Sequence, residues 1–280
     1  MQSVFLILLF ILGACLGSFL CCQARRLHLK TTNKTKSHLS SRSVCLSCGY
    51  QLKWYDNLPI ISWLFLKGKC RKCGKKIGFA EILSELGVAL AFLLLGLGQQ
   101  LAGFTIESSC ASPLEIITFA TALVLISLLA FLAIYDGIYG QLPTLFLVLT
   151  IIFATVVVIL REWANLSISS NFWPDLGQDL LNLFLATLIL SGLYLVLYKI
   201  SKGKWVGDGD WLLGLALALA LGTPWLALVT LFLANFLACL VMFPVVKKHQ
   251  ERKIHFGPFM VVAFVVVFAF SHFFYAIMSL

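Results

Sequence analysis

Long apolar runs dominate the chain, and eight of them approach the length of a membrane span. They cover about 2–22, 81–103, 114–135, 144–160, 178–199, 205–222, 224–246 and 257–279 of the 280 residues. A helix crossing the ~30 Å hydrocarbon core needs ~20 consecutive apolar residues. The runs therefore predict an all-α polytopic membrane protein with about eight transmembrane helices, the fourth and sixth being the shortest. Composition agrees: 60% of residues are hydrophobic and only 12% charged, with mean hydropathy +0.97. A soluble domain would carry roughly twice that share of charge. The first run reads as a retained span rather than a cleavable signal, since no basic residue precedes it and no small-residue cleavage site follows.

The basic residues orient these spans. Of 21 Lys and Arg, thirteen lie in 23–80 and four (Lys247, Lys248, Arg252, Lys253) in 247–256. Lys199, Lys202 and Lys204 flank 200–210, and Arg161 alone falls elsewhere. With the N-terminus outside, alternating spans put segments 23–80, 136–143, 200–210 and 247–256 on the cytoplasmic side, as the positive-inside rule requires. The net charge of +9 is thus explained by topology, with attraction to anionic membrane lipids as a by-product. No nucleic-acid partner is expected. The division that follows is a first transmembrane helix at 1–22, a cytoplasmic domain at 23–80 and a seven-helix membrane domain at 81–280.

Four of the nine cysteines form Cys45-x2-Cys48 and Cys70-x2-Cys73, each pair followed by a glycine, Gly49 or Gly74. Paired thiolates on tight turns at this spacing fit a structural four-cysteine Zn²⁺ site. The reducing cytoplasm disfavours disulfides. A closed four-thiolate site leaves no open position for catalysis, so the metal is read as a staple for a loop with little core. Cys15, Cys21, Cys22, Cys110 and Cys239 are read as small packing residues.

Two aspartates adjoin long apolar runs: Asp136 after 114–135, and Asp210 in Gly207-Asp208-Gly209-Asp210 before 211–221. A carboxylate at bilayer depth costs roughly 2.5–3.5 kcal/mol on insertion scales, so it usually marks a functional site. The topology puts both on the cytoplasmic side. Two carboxylates brought close cannot both ionise easily, which leaves one to take a proton from water and one to polarise a carbonyl. Gly207 and Gly209 support the second site by allowing close backbone approach, and the helix start favours a carboxylate. Other readings stay open on spacing alone: Asp208 or Asp210 as a helix cap, Asp136 as a helix end, or the pair as the proton relay of a proton-coupled transporter.

In their order along the chain, these motifs resemble the type IV prepilin leader peptidases, membrane aspartic proteases of the Gly-x-Gly-Asp class. Gly17-Ser18-Phe19 with Arg26-Leu27 is similar to the family's opening signature. Cys45-x2-Cys48, Trp54-Tyr55-Asp56, Leu58-Pro59, Ser62-Trp63, Gly68-Lys69-Cys70-Arg71 and Cys73 resemble its zinc-bearing loop. Glu85-Leu86 fits the Glu at the start of span two. Asp136 with Leu142-Pro143 resembles the first catalytic motif, Gly207-x-Gly209-Asp210 the second, and Phe256-Gly257-Pro258-Phe259 the start of the last span.

The resemblance implies a bacterial inner-membrane endopeptidase that removes the basic leader of prepilins or competence pseudopilins after a glycine, with Asp136 and Asp210 as the catalytic pair. It also implies N-methylation of the new N-terminus from S-adenosylmethionine, with Glu85 and the 23–80 loop as the expected place. The chain departs from the family pattern at Leu212 (often Lys), Thr144 (often Asp or Asn), Ala80-Glu81-Ile82 (often Arg-Tyr-Pro), Cys21 (Asn) and His28 (Pro). None of these removes a carboxylate; they bear on substrate contacts and methyl transfer. A scaffold docking pilus components through the zinc loop is the remaining reading.

Overall fold

The structure is a computed structural model that describes residues 2–32, 43–45, 47–101, 113–166, 172–203, 206–246 and 255–278. Cys110, Lys204 and the basic cluster at 247–253 lie outside the described residues. Every extended element is a helix: α1 (Gln2–Thr31), α2 (Ile61–Phe65), α3 (Phe79–Leu101), α4 (Pro113–Tyr139), α5 (Thr144–Leu166), α6 (Phe172–Thr187), α7 (Leu193–Ser201), α8 (Asp210–Leu221), α9 (Pro224–Val246), α10 (Gly257–Ala269) and α11 (Ser271–Met278). A π-helical stretch, Leu188–Gly192, joins α6 to α7.

Each expected apolar run corresponds to helix. Among the described residues six helical segments, α6 to α7 through the π-helical stretch counted as one, are long and apolar enough to cross a membrane, and α10 with α11, bent by 73°, makes a seventh if the pair is one span. The expected span at 205–222 is only the twelve residues of α8. At 1.5 Å per residue that is about 18 Å, short of the hydrocarbon thickness. Helix α1 also outruns its apolar stretch: the helix continues through Arg25 and Arg26 to Thr31. Hydroxyls inside the spans donate back to their own helix, as Thr150 to Phe146 O (2.7 Å) and Thr230 to Leu226 O (2.8 Å). That satisfies them where no water is available.

The chain divides into two compact units, 3–93 and 94–280. In the first, α1 and the start of α3 pack backbone to backbone at Gly13 and Gly17. A Cβ on Gly17 would lie 2.5 Å from Ser84 O, and one on Gly13 would lie 2.7 Å from Val88 O. The Gly13-x3-Gly17 spacing puts both on one face, the usual device for close helix approach in membranes. Arg25 and Glu81 form an ion pair at 2.5 Å.

In the second unit α8 is packed against α5, α6, α7, α9, α10 and the π-helical stretch. Its end is set by Gly222, left-handed at φ 73°, with Arg161 Nη1 donating to Leu221 O at 3.1 Å. A guanidinium at a helix C-terminus meets the negative end of the dipole.

Candidate functional site

Asp136 lies in the last turn of α4, and its residue is only 6% exposed. Its Oδ2 accepts a hydrogen bond from the backbone N–H of Gly257 at 3.0 Å, across 121 residues of sequence. Gly257 opens α10, where its amide has no partner within the helix. A Cβ there would stand 2.7 Å from Asp136 Oδ2, so only glycine lets the amide come this close to the carboxylate.

Asp210, also 6% exposed, is the first residue of α8. Its Oδ2 accepts from Gly207 N–H at 2.8 Å, three residues back, folding the Gly-x-Gly-Asp turn on to its own aspartate. A Cβ on Gly209 would lie 2.7 Å from Leu142 Cβ. The Leu142-Pro143 segment thus packs directly on that turn. Asp208 is exposed in the same turn, and α8 has no side-chain cap; the capping reading therefore gains no hydrogen bond.

These contacts bring three stretches to one end of the second unit: the close of α4 with the connection to α5, the Gly207–Asp210 turn, and residues 255–258. The His255 ring lies against Gly140, which is left-handed at φ 66°, and Pro258 stands 3.6 Å from where a Cβ on Gly137 would be. Asp136 lies within electrostatic range of Asp210, and Asp210 within that of His255. The two sequence-selected aspartates are brought together; Asp208 is not buried with them. Gly257 was read from sequence only as a span start. Nothing local marks it as the partner of Asp136.

The four cysteines converge as their spacing predicts. Their Sγ atoms all lie within 4.8 Å of one another, with Cys45 and Cys73 at 3.9 Å. Around Zn²⁺ with Zn–S of ~2.3 Å, a tetrahedron has sulfur–sulfur edges of about 3.8 Å, so the donor set fits that ion. The two pairs sit on matching turns. Cys45 N donates to Tyr50 O and Gly49 N to Cys45 O; Cys70 N donates to Lys75 O and Gly74 N to Cys70 O, all at 2.8–2.9 Å. Gly49 and Gly74 take φ 68° and 67°, a conformation that glycine adopts without strain. Within the cluster the Ser47 amide holds the Cys45 thiol down, while burial and hydrogen bonds from the other thiols push Cys48 up.

The two cysteine turns, α1 and the start of α3 line a cavity of about 390 Å³ whose walls include Ser18, Arg25, Trp63, Arg71, Glu81 and Glu85. Glu85 Oε2 accepts from Ile60 N–H at 2.7 Å, pinning the start of α2. Arg71 Nε donates to buried Asp56 Oδ1 at 2.7 Å, an anchor of the loop that sequence reading did not anticipate. Trp63 Nε1 and Glu81 Oε2 are buried without a hydrogen-bond partner among the described residues. An orphaned carboxylate oxygen beside a guanidinium suits a ligand carrying both an ammonium and a carboxylate, as S-adenosylmethionine does, and the volume falls in the ~300–1,000 Å³ range of small-molecule sites.

A family profile described as the bacterial peptidase A24 N-terminal domain matches residues 11–98. A prepilin leader peptidase/N-methyltransferase of Klebsiella pneumoniae is 30% identical over 231 residues, covering 81% of this chain and 89% of that protein. One of Bacillus subtilis strain 168 is 30% identical over 225 residues, 80% of this chain and 77% of its own. One of Myxococcus xanthus is 37% identical over 140 residues, half of this chain and 36% of that protein. With the Myxococcus protein and its Vibrio cholerae counterpart, the match spans only about a third of the relative's length. No solved structure matches.

Proposed function

The chain belongs to the prepilin leader peptidase/N-methyltransferase family, and on that premise we propose that it is a membrane aspartic endopeptidase whose water-activating pair is Asp136 and Asp210. The observation that carries this reading is the matched treatment of two distant carboxylates. Each is buried, each accepts a backbone N–H at a glycine, and both lie at the same end of the unit. Glycine N–H donors hold the carboxylates without adding a charge that would neutralise them.

In the proposed reaction the ionised aspartate takes a proton from water as the water oxygen bonds to the carbonyl carbon of the leader's terminal glycine. The π pair moves to the carbonyl oxygen, which takes the proton held by the other aspartate. When the C–N bond breaks, a proton passes from the first aspartate to the leaving amine, and the gem-diol returns its own to the second. The products are the basic leader and a mature pilin or pseudopilin with a new N-terminus. The positive-inside pattern supports a multi-pass inner-membrane placement with the N-terminus outside and 23–80 in the cytoplasm, where a basic leader would lie.

Zinc at Cys45, Cys48, Cys70 and Cys73 is read as structural. The 23–80 loop is proposed as the place of N-methylation, for which bound S-adenosylmethionine would supply the methyl group. Arg25 and Arg71 offer donors to a carboxylate, and Glu81 and Glu85 offer oxygens to an ammonium, whether of the cofactor or of the new N-terminus. The test is co-expression with a prepilin, read by mass spectrometry of the pilin. Leader removal after glycine by wild type supports the reading. Unchanged prepilin length with proton-linked flux in proteoliposomes would instead favour a transporter.

A further inference from the structure

Among the described residues three buried polar side-chain atoms lack a hydrogen-bond partner, and one of them is the hydroxyl of Tyr194. The residue is only 3% exposed. Leaving such a group unsatisfied in a dry interior is destabilising, so a tyrosine in place of phenylalanine calls for a reason. Asn235 stands near the hydroxyl; its Nδ2 gives one hydrogen to Leu231 O at 2.7 Å, and its second N–H can only donate to the phenol oxygen, which leaves the phenol O–H itself free to donate.

The surroundings of Tyr194 belong to the aspartate pair. Its ring packs on Phe256 with centroids 5.4 Å apart, and Phe256 precedes Gly257, the residue whose amide holds Asp136. Its hydroxyl lies within electrostatic range of Asp210. The π-helical stretch Leu188–Gly192 ends just before it, and single-turn π segments inside helices frequently mark functional sites. That stretch is fixed against α8. Ser191 Oγ donates to Trp211 O at 2.9 Å, next to Asp210, and a Cβ on Gly214 would lie 3.0 Å from Leu190 O. Two anchors therefore position Tyr194: one to the backbone beside Asp210, the other to the segment that holds Asp136.

The geometry points to Tyr194 as a third catalytic group of the proposed peptidase, its hydroxyl donating a hydrogen bond to the oxygen of the scissile carbonyl as that oxygen gains charge. The inference rests on the reading of Asp136 and Asp210 as the dyad. A neutral phenol O–H held in a buried, preset position beside Asp210 can act as a donor of the oxyanion-hole kind, and it takes no proton away from either carboxylate. Removing one such donor typically costs on the order of 10²–10³-fold in kcat.

Tyr194→Phe keeps the ring on Phe256 and deletes only the hydroxyl. Purified enzyme and a prepilin substrate should show kcat reduced by on the order of 10²-fold, with KM changed less than about threefold and thermal midpoint unchanged or higher, because an unsatisfied buried group has been removed. Zinc content, measured in parallel, reports that the chain is intact. A Tyr194→Phe enzyme with wild-type kcat overturns the inference, as does one whose loss of rate tracks a loss of thermal stability. Asp136→Asn and Asp210→Asn in the same assay separate the two readings. Cleavage surviving in those variants overturns the pair and Tyr194's role with it; cleavage lost in them but full in Tyr194→Phe overturns Tyr194's role alone.

Discussion

Gly257→Ala is the perturbation that most selectively touches Asp136. The backbone at 257 is not left-handed, so alanine suits the start of α10 and is favoured over glycine in helices by up to about 1 kcal/mol. The added methyl, however, would stand 2.7 Å from Asp136 Oδ2. Ordinary van der Waals contact begins near 3.4 Å, so the carboxylate must retreat by about 0.7 Å. Moved that far, Oδ2 passes from 3.0 Å to about 3.7 Å from Gly257 N, beyond hydrogen-bond reach. A hydrogen bond to a charged group contributes about 1.5–3 kcal/mol, which in rate is roughly 10- to 150-fold. A displacement of this size at a reacting group costs up to about 10²-fold by misplacement alone. Gly257→Ala should therefore cleave prepilin roughly 10- to 100-fold more slowly, with a thermal midpoint within a few degrees of wild type. The assay is leader removal from a purified prepilin in detergent, followed by mass spectrometry. A variant that cleaves at the wild-type rate would refute the claim that this amide holds a working carboxylate.

Other perturbations test the first unit. Metal analysis should find about one zinc per chain, lost in Cys45→Ser or Cys70→Ser, with new protease sensitivity in the loop; a folded, metal-free wild type would contradict the site. Glu85→Gln keeps an oxygen to accept the Ile60 N–H and removes the charge, so methylation should fall more than cleavage; an equal loss of both would mean Glu85 serves only the fold. Gly17→Leu forces atoms into the Ser84 carbonyl and should destabilise by about 1–3 kcal/mol, lowering the thermal midpoint, whereas Gly87→Ala, with nothing within 4 Å, should leave it unchanged or raised.

Much of this was legible in the sequence because membranes constrain so strongly. Apolar length located the helices, and the paired spacing located the four-cysteine cluster. Alternation of spans put Asp136 and Asp210 on one side, and in the structure contacts at Leu142, Gly209 and Gly257 bring the segments that carry them together. The misjudged boundaries have a common cause. Hydropathy reports what lipid tolerates, not where backbone hydrogen bonds stop, so α1 continues to Thr31 and α8 starts only at Asp210. The bend between α10 and α11 falls at Phe270, just before Ser271-His272 in the last apolar run, and the π-helical stretch at 188–192 lies in another run; no proline or acidic or basic residue stands within either break to announce it. The least legible features are long-range. The partner of Asp136 is an amide 121 residues away, Asp56 is tied to Arg71 fifteen residues on, and the burial of the Tyr194 hydroxyl depends on helices from three parts of the chain.

The central claim is that Asp136 and Asp210 work as one unit, and the double variant tests it most directly. Groups that act together are non-additive: removing the second costs little once the first is gone. Leader cleavage should fall by several orders of magnitude in Asp136→Asn and in Asp210→Asn, and the double variant should be no slower than the worse of the two. A single Asn variant with near wild-type cleavage, or a double variant in which two modest losses simply multiply, would contradict the account.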